Sequence, residues 1–188
     1  MDRRIMKTRQ AILEAFIGLL GEQGFEKITI HEIADRANVN RGTVYLHFTD
    51  KFDLLEQCIE TYLQFLYESC RPDGDPSWVS AKTQLLRTFE FIEQHASVYS
   101  ILLTSKGVPA FRNRMMAMVE QGIGEHIRSC GIGAGVQPEI LGQFLSSAIA
   151  GLVEWWILQS MPYSPAEMVE QLQVLLERNL LLESKTGL

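Results

Sequence analysis

Cysteine is scarce in this chain of 188 residues: Cys58, Cys70 and Cys130 are far apart and odd in number. Such a set makes no disulfide framework and fits reduced thiols in a cytosol. The N-terminus, "MDRRIMKTRQAILEAF", carries early positive charge but meets Glu14 before any apolar signal core or cleavage site, which argues against secretion. Long uncharged apolar runs are missing too. The best of them, "IAGLVEWWIL", is interrupted by Glu154, so no membrane span is expected. His95, His126 and the cysteines lack short metal-ligand spacing, and no metal site is expected. No nucleophile–base constellation, glycine-rich phosphate loop or pair of carboxylates stands out, so neither catalysis nor a cofactor is expected. What remains is a cytoplasmic globular protein.

Charge is informative once it is divided along the chain. Residues 1–51 hold eight basic and seven acidic side chains, whereas the remainder holds nine and sixteen. An acidic chain is no general binder of nucleic acid; any anion it meets falls to the first fifty residues.

Strand signals are few and helical periodicity is common. Ile5, Ile12, Leu13, Phe16 and Leu20 mark one face of a first helix, and Gly24 stands where a left-handed stop belongs. Thr29 with Glu32 three residues on forms a capping box, opening a second helix to about Ala37. Asp50 caps a helix running through Leu54, Ile59, Tyr62 and Leu66, which "CRPDGDPS" ends. Beyond it, helices are expected over 78–95, 97–104, 108–129, 138–160 and 164–182, the last opened by Ser164 as cap, Pro165 and Glu167. The fold class is therefore all-α. A three-helix N-terminal domain, residues 1–51, joins a larger helical domain, residues 52–188.

One stretch, "NVNRGTVYLHF", reads two ways. Thr43–Phe48 alternates like a half-buried strand. A lone strand among helices would leave its backbone unpaired. Wound as a helix capped by Asn40, the run turns Val44 and Phe48 inward, and Asn38 suits a left-handed turn position. With Ala34 at the crossing, this is a helix-turn-helix. The outward set then acquires a role in the major groove: Arg41 for guanine or phosphate, and Thr43 for a base edge. Tyr45 and His47 suit backbone oxygens, Leu46 an apolar contact, and Gly42 close approach. Lys51, a cation in a helix's first turn, points to an anion nearby. Arg3, Arg4, Lys7 and Arg9 would form a basic arm.

These residues resemble the tetracycline-repressor (TetR/AcrR) family of bacterial regulators over Thr8–Leu55. The most specific part is "RGTVYLHFTDK", where Gly42, Thr43, Tyr45, His47, Phe48 and Lys51 fall on the family's spacing. The resemblance implies a DNA-binding domain followed by a divergent helical domain that binds a small effector and dimerises through its last two helices. It carries DNA contact to Thr29, Asn40, Arg41, Gly42, Thr43, Tyr45, His47 and Lys51. The chain departs from the family at "ANVN", where Ala-Gly-Val-Ser is common, and at Phe52, where a polar residue is commoner. The C-terminal half is similar to a subtype that includes regulators of dihydroxyacetone metabolism, some of which respond to a protein.

The 138–160 helix has two apolar stripes. One is Leu141, Leu145, Ala148, Leu152 and Trp156; the other is Ile140, Phe144, Gly151 and Trp155. The first stripe, with Val169, Leu172, Leu176 and Leu180 on the last helix, is the expected dimer face. Aromatic and methionine side chains, Tyr62, Phe89, Tyr99, Phe111, Met115, Met118, Phe144 and Trp155, are the expected lining of an effector pocket. The function expected is that of a homodimeric regulator, a repressor released from a pseudo-palindromic operator by a small molecule. The alternatives are a regulator, repressor or activator, controlled by a partner protein or by thiol oxidation, and a helical small-molecule-binding protein with a vestigial helix-turn-helix.

Overall fold

A computed structural model of the protein describes residues 3–70, 81–105, 109–130 and 136–180. Most of the "CRPDGDPS" break and the side chains of Cys70, His126, Cys130 and Leu180 lie outside the described residues. Among the described residues nine α-helices follow one another: α1 (Arg3–Gln23), α2 (Ile30–Arg36), α3 (Arg41–His47), α4 (Lys51–Cys70), α5 (Ala81–Gln94), α6 (Ala96–Thr104), α7 (Pro109–Cys130), α8 (Pro138–Leu158) and α9 (Pro165–Leu180). A short 3-10 turn, Phe25–Lys27, joins α1 to the loop before α2. No strand occurs among the described residues, so the helical reading of Thr43–His47 holds.

The chain packs as two units. The first comprises Met1–Gln64 with Ser97–Arg112; the second comprises Phe65–Ala96 with Asn113–Leu188. The first unit thus runs past residue 51, taking in most of α4 and also α6.

In the first unit, Ile12, Leu13 and Phe16 of α1 are buried with Ile33 and Ala34 of α2, Val44 of α3, and Leu54 and Ile59 of α4. Phe25 meets Phe16 edge to face, with centroids 6.3 Å apart. Gly21 lets α6 approach α1, since a Cβ there would stand 2.8 Å from Ile101 Cδ1. Gly24 has the positive φ expected of a stop, but its ψ of 156° puts it outside the left-handed helical region. The extended ψ leads the chain into the 3-10 turn rather than closing α1 with a left-handed cap.

Thr29 and Glu32 form the reciprocal capping box that opens α2. At its other end Asn38 adopts φ 53°, and the Val39 amide donates to the Ala34 carbonyl at 3.0 Å. Asp50 caps α4, its Oδ1 accepting from the amides of Phe52 and Asp53 at 2.8 and 2.9 Å.

The second unit buries Phe89, Ile92, Met115, Val153, Trp156, Met168 and Val169, with α5 packed on α9. Phe89 meets Trp156 edge to face at 5.1 Å. Leu141 and Leu145 pack with Ile123 and Leu176. Ser160 and Met161 both have positive φ after α8, and the Trp156 indole donates to the Tyr163 carbonyl at 2.8 Å across this turn. Ser164 and Glu167 then form the box that opens α9.

By length and composition alone α8 is long and apolar enough to cross a membrane, a test that a soluble protein's core helix also passes. Part of the helix is core, with 44% of the apolar window buried; the other part faces outward.

Asn38 is the residue most exposed to a backbone test. Asn38→Ala should lower unfolding free energy by about 1–2 kcal/mol, because alanine resists positive φ, while Asn38→Gly should not. Urea denaturation reads the difference.

Candidate nucleic-acid interface

A seven-residue helix is too short to hold itself in water, so α3 stands by its anchors. Val44 and Phe48 are buried, and the Arg9 guanidinium lies 5.1 Å over the Phe48 ring. Arg9 is thereby drawn into the domain, while Arg3, Arg4 and Lys7 stay exposed on the first turns of α1. The Asn40 backbone is extended as an N-cap should be, but its side chain makes no capping hydrogen bond.

The other face of α3 is open. Asn40, Arg41, Gly42, Tyr45 and Leu46 are exposed, and Thr43 and His47 are half-buried. The Arg41 guanidinium lies 5.5 Å over the Tyr45 ring and donates to its hydroxyl at 3.2 Å. The pair presents a cation and a phenol as one surface. Thr29 is exposed at the start of α2, with its hydroxyl bonded to Glu32. That pairing holds the Glu32 carboxyl below its ordinary pKa and keeps a negative charge at the helix N-terminus.

Lys51 is placed differently from the outward cation that its position suggested. Its ammonium donates to the carbonyls of Phe25, Glu26 and Ile28 at 3.3, 3.1 and 3.4 Å. It also lies 4.8 Å from the Phe25 ring centroid and 5.8 Å from that of Phe52. Three donors meet three carbonyls, so the chain's own carbonyl dipoles satisfy the ammonium. Phe52, the departure from the family pattern, completes this clamp by meeting Phe25 edge to face at 5.1 Å. A lysine beside two aromatics far apart in sequence carries no local signal, which is why the clamp was missed.

The expected pocket residues fall in both units. Tyr62, Tyr99 and Phe111 are buried in the first unit, where the Tyr99 hydroxyl donates to the Tyr62 carbonyl at 3.0 Å. Burial pushes the Tyr62 phenol up to about 12, with Cys58 and Glu14 adding to it. Phe89 and Met115 are buried in the second unit, and Met118 is half-buried there. Phe144 and Trp155 are exposed on α8.

The expected dimer stripe is turned mostly inward. Leu141, Leu145, Trp156, Val169 and Leu172 are core, Leu152 and Leu176 are half-buried, and Ala148 alone of the described members is exposed. The outward stripe is the neighbouring one: Ile140, Phe144, Ser147, Ala148, Gly151, Trp155 and Leu158. A helix apolar on two sides gives no local clue to which side is covered. Cys58 is fully buried, and desolvation drives its thiol pKa far up, so this thiol is a poor redox sensor. Among the described residues no cluster of three or more His, Cys, Asp or Glu is placed to hold a metal.

Residues 12–58 match the family model of bacterial regulatory proteins, tetR family, and residues 80–178 match that of a transcriptional regulator C-terminal region. The second match spans more than half of the chain. The chain belongs to the tetR family. That family is one of bacterial regulatory proteins. The probable acrEF/envCD operon repressor of Escherichia coli (strain K12) is 42% identical over 52 residues, 28% of this chain and 24% of its own. The HTH-type transcriptional regulator AcrR of Shigella flexneri is 38% identical over 76 residues, 37% of this chain and 35% of its own. The chain thus spans about a quarter to a third of the length of these curated relatives. A TetR transcriptional regulator from Streptococcus agalactiae 2603V superposes with a TM-score of 0.71 at 27% identity, covering 93% of this chain and 96% of that one. The dihydroxyacetone kinase operon activator DhaS, at 16% identity and a TM-score of 0.68 over 92% and 96% of the two chains, shares the fold.

Replacing Lys51 with Met keeps the aliphatic stem and removes the ammonium. Lys51→Met is expected to lower unfolding free energy by about 1–3 kcal/mol, the worth of charged hydrogen bonds now lost. Urea denaturation of the whole protein checks it.

Proposed function

We propose that the protein acts as a homodimer, each copy laying α3 in the major groove of one half of a pseudo-palindromic operator. It represses transcription until an effector bound by the C-terminal domain releases it. The observation that carries the DNA contact is the open face of α3: Arg41, Gly42, Tyr45 and Leu46 are exposed while Val44 and Phe48 hold the helix from behind. Arg41 suits guanine O6 and N7 or a phosphate, and Asn40, Thr43, Tyr45 and His47 suit base edges and backbone oxygens. Thr29, at the N-terminus of α2, suits a phosphate. Lys51 holds the turn that sets α2 rather than reaching outward.

The outward stripe of α8 supports the dimer. Ile140 and Phe144 are 64% and 59% exposed, and Ser147, Ala148 and Gly151 leave room for a close helix–helix approach. A second copy using the same stripe buries it about a twofold axis. This reading also accounts for the apolarity of α8 without a bilayer and fits a cytoplasmic protein. The effector shifts the regulator only if it binds the DNA-free arrangement more tightly than the bound one.

A second reading replaces the small molecule with a partner protein. It is favoured by the concavity along Glu139, Ile140, Gln143, Phe144, Ser147 and Ala148, which lies open on the surface of α8.

Mobility shift with a duplex selected from a random pool tests the first part. Arg41→Ala should weaken binding by about tenfold or more, and Tyr45→Phe should weaken it less; equal binding by both variants removes the contact assignment. For the dimer, Phe144→Asp should leave the fold intact and convert the protein to monomer, as read by light scattering on a sizing column. A monomeric parent, or a variant that stays dimeric, rules out this face.

A further inference from the structure

One line along α3 is both apolar and open. Gly42 lies in the first turn of the helix, although glycine is a poor helix former. Nothing inside the chain calls for it: a Cβ built there meets no atom within 4 Å, and its φ is not positive. One turn on, at the i+4 position of the same face, Leu46 is 83% exposed, more than any other large apolar side chain described. A lone exposed leucine needs no explanation. A leucine beside an unforced glycine, flanked by the exposed Arg41–Tyr45 pair, forms a notch with bare backbone for its floor and an apolar wall.

We propose that this notch receives the C5-methyl group of a thymine, so that Gly42 and Leu46 determine specificity for a T·A pair in each half-site. The thymine methyl is the apolar group that base-pair edges display in the major groove; cytosine has only a hydrogen at that carbon, and its amino group stands where thymine has O4. An aliphatic wall gains by covering a methyl and gains nothing from a polar edge. The missing Cβ at position 42 gives the methyl room to enter. This inference rests on α3 entering the major groove.

Uracil differs from thymine by that methyl alone, which makes the test direct. A duplex selected from a random pool by the full-length protein is resynthesised with each thymine replaced in turn by uracil, and affinities are read by fluorescence anisotropy. For the parent protein, one thymine per half-site should prove sensitive, its replacement lowering affinity by about fourfold. Leu46→Ala should bind the thymine and uracil duplexes alike. Because Leu46 is solvent-exposed, that variant should melt at the parent temperature. Gly42→Ala, which fills the notch, should weaken the thymine duplex more than the uracil duplex without lowering the melting temperature. Binding with no uracil-sensitive thymine, or a sensitivity that persists in Leu46→Ala, overturns the notch and leaves the DNA-binding reading standing. Failure of the parent to select any duplex overturns both.

Discussion

A helix of seven residues cannot close enough hydrogen bonds to offset its own ordering, and α3 is such a helix. Its place depends on Val44 and Phe48 being buried, on packing against α2, on Arg9 of α1 lying over Phe48, and on Asn38 holding the chain at φ 53°. Because the anchoring takes only two side chains, nearly all of the remaining surface of α3 is left for contact. The same economy explains the tolerance for Gly42, Thr43, Val44 and Tyr45, none a strong helix former: packing, not propensity, decides the conformation.

Around that helix the domain is held by polar caps that tie neighbouring elements to defined angles. The Thr29–Glu32 box opens α2, Asp50 opens α4, and Lys51, between the rings of Phe25 and Phe52, reaches back to two carbonyls of the 3-10 turn and that of Ile28 just after it. Each satisfies backbone groups that a short element leaves unpaired. The Lys51 clamp links the start of α4 to the segment leading into α2, so the flanking elements of the helix-turn-helix are fixed by a single ammonium. A point cation with three donors suits that cluster better than a planar guanidinium.

The second unit solves a different problem. Helix α8 carries two apolar stripes and has neighbours enough to bury one. Trp156, held by Phe89 and the Tyr163 carbonyl, turns one stripe into the core and leaves Ile140, Phe144 and Trp155 outside. The aromatic residues expected to line a pocket belong to both units, with Phe144 and Trp155 on an outer face of α8.

From residues alone, the helical class, the two capping boxes, the turn at Asn38 and the helix that follows it were legible. Each is written in local spacing: a polar side chain reaching a backbone amide within three or four residues, or a period of 3.6. Tertiary structure alone decided which way Lys51 points, which stripe of α8 is core, and where Tyr62, Tyr99 and Phe144 lie. Those outcomes depend on contacts between segments tens of residues apart. A one-residue rotation of a doubly apolar helix, about 100°, is invisible until its neighbours are in place.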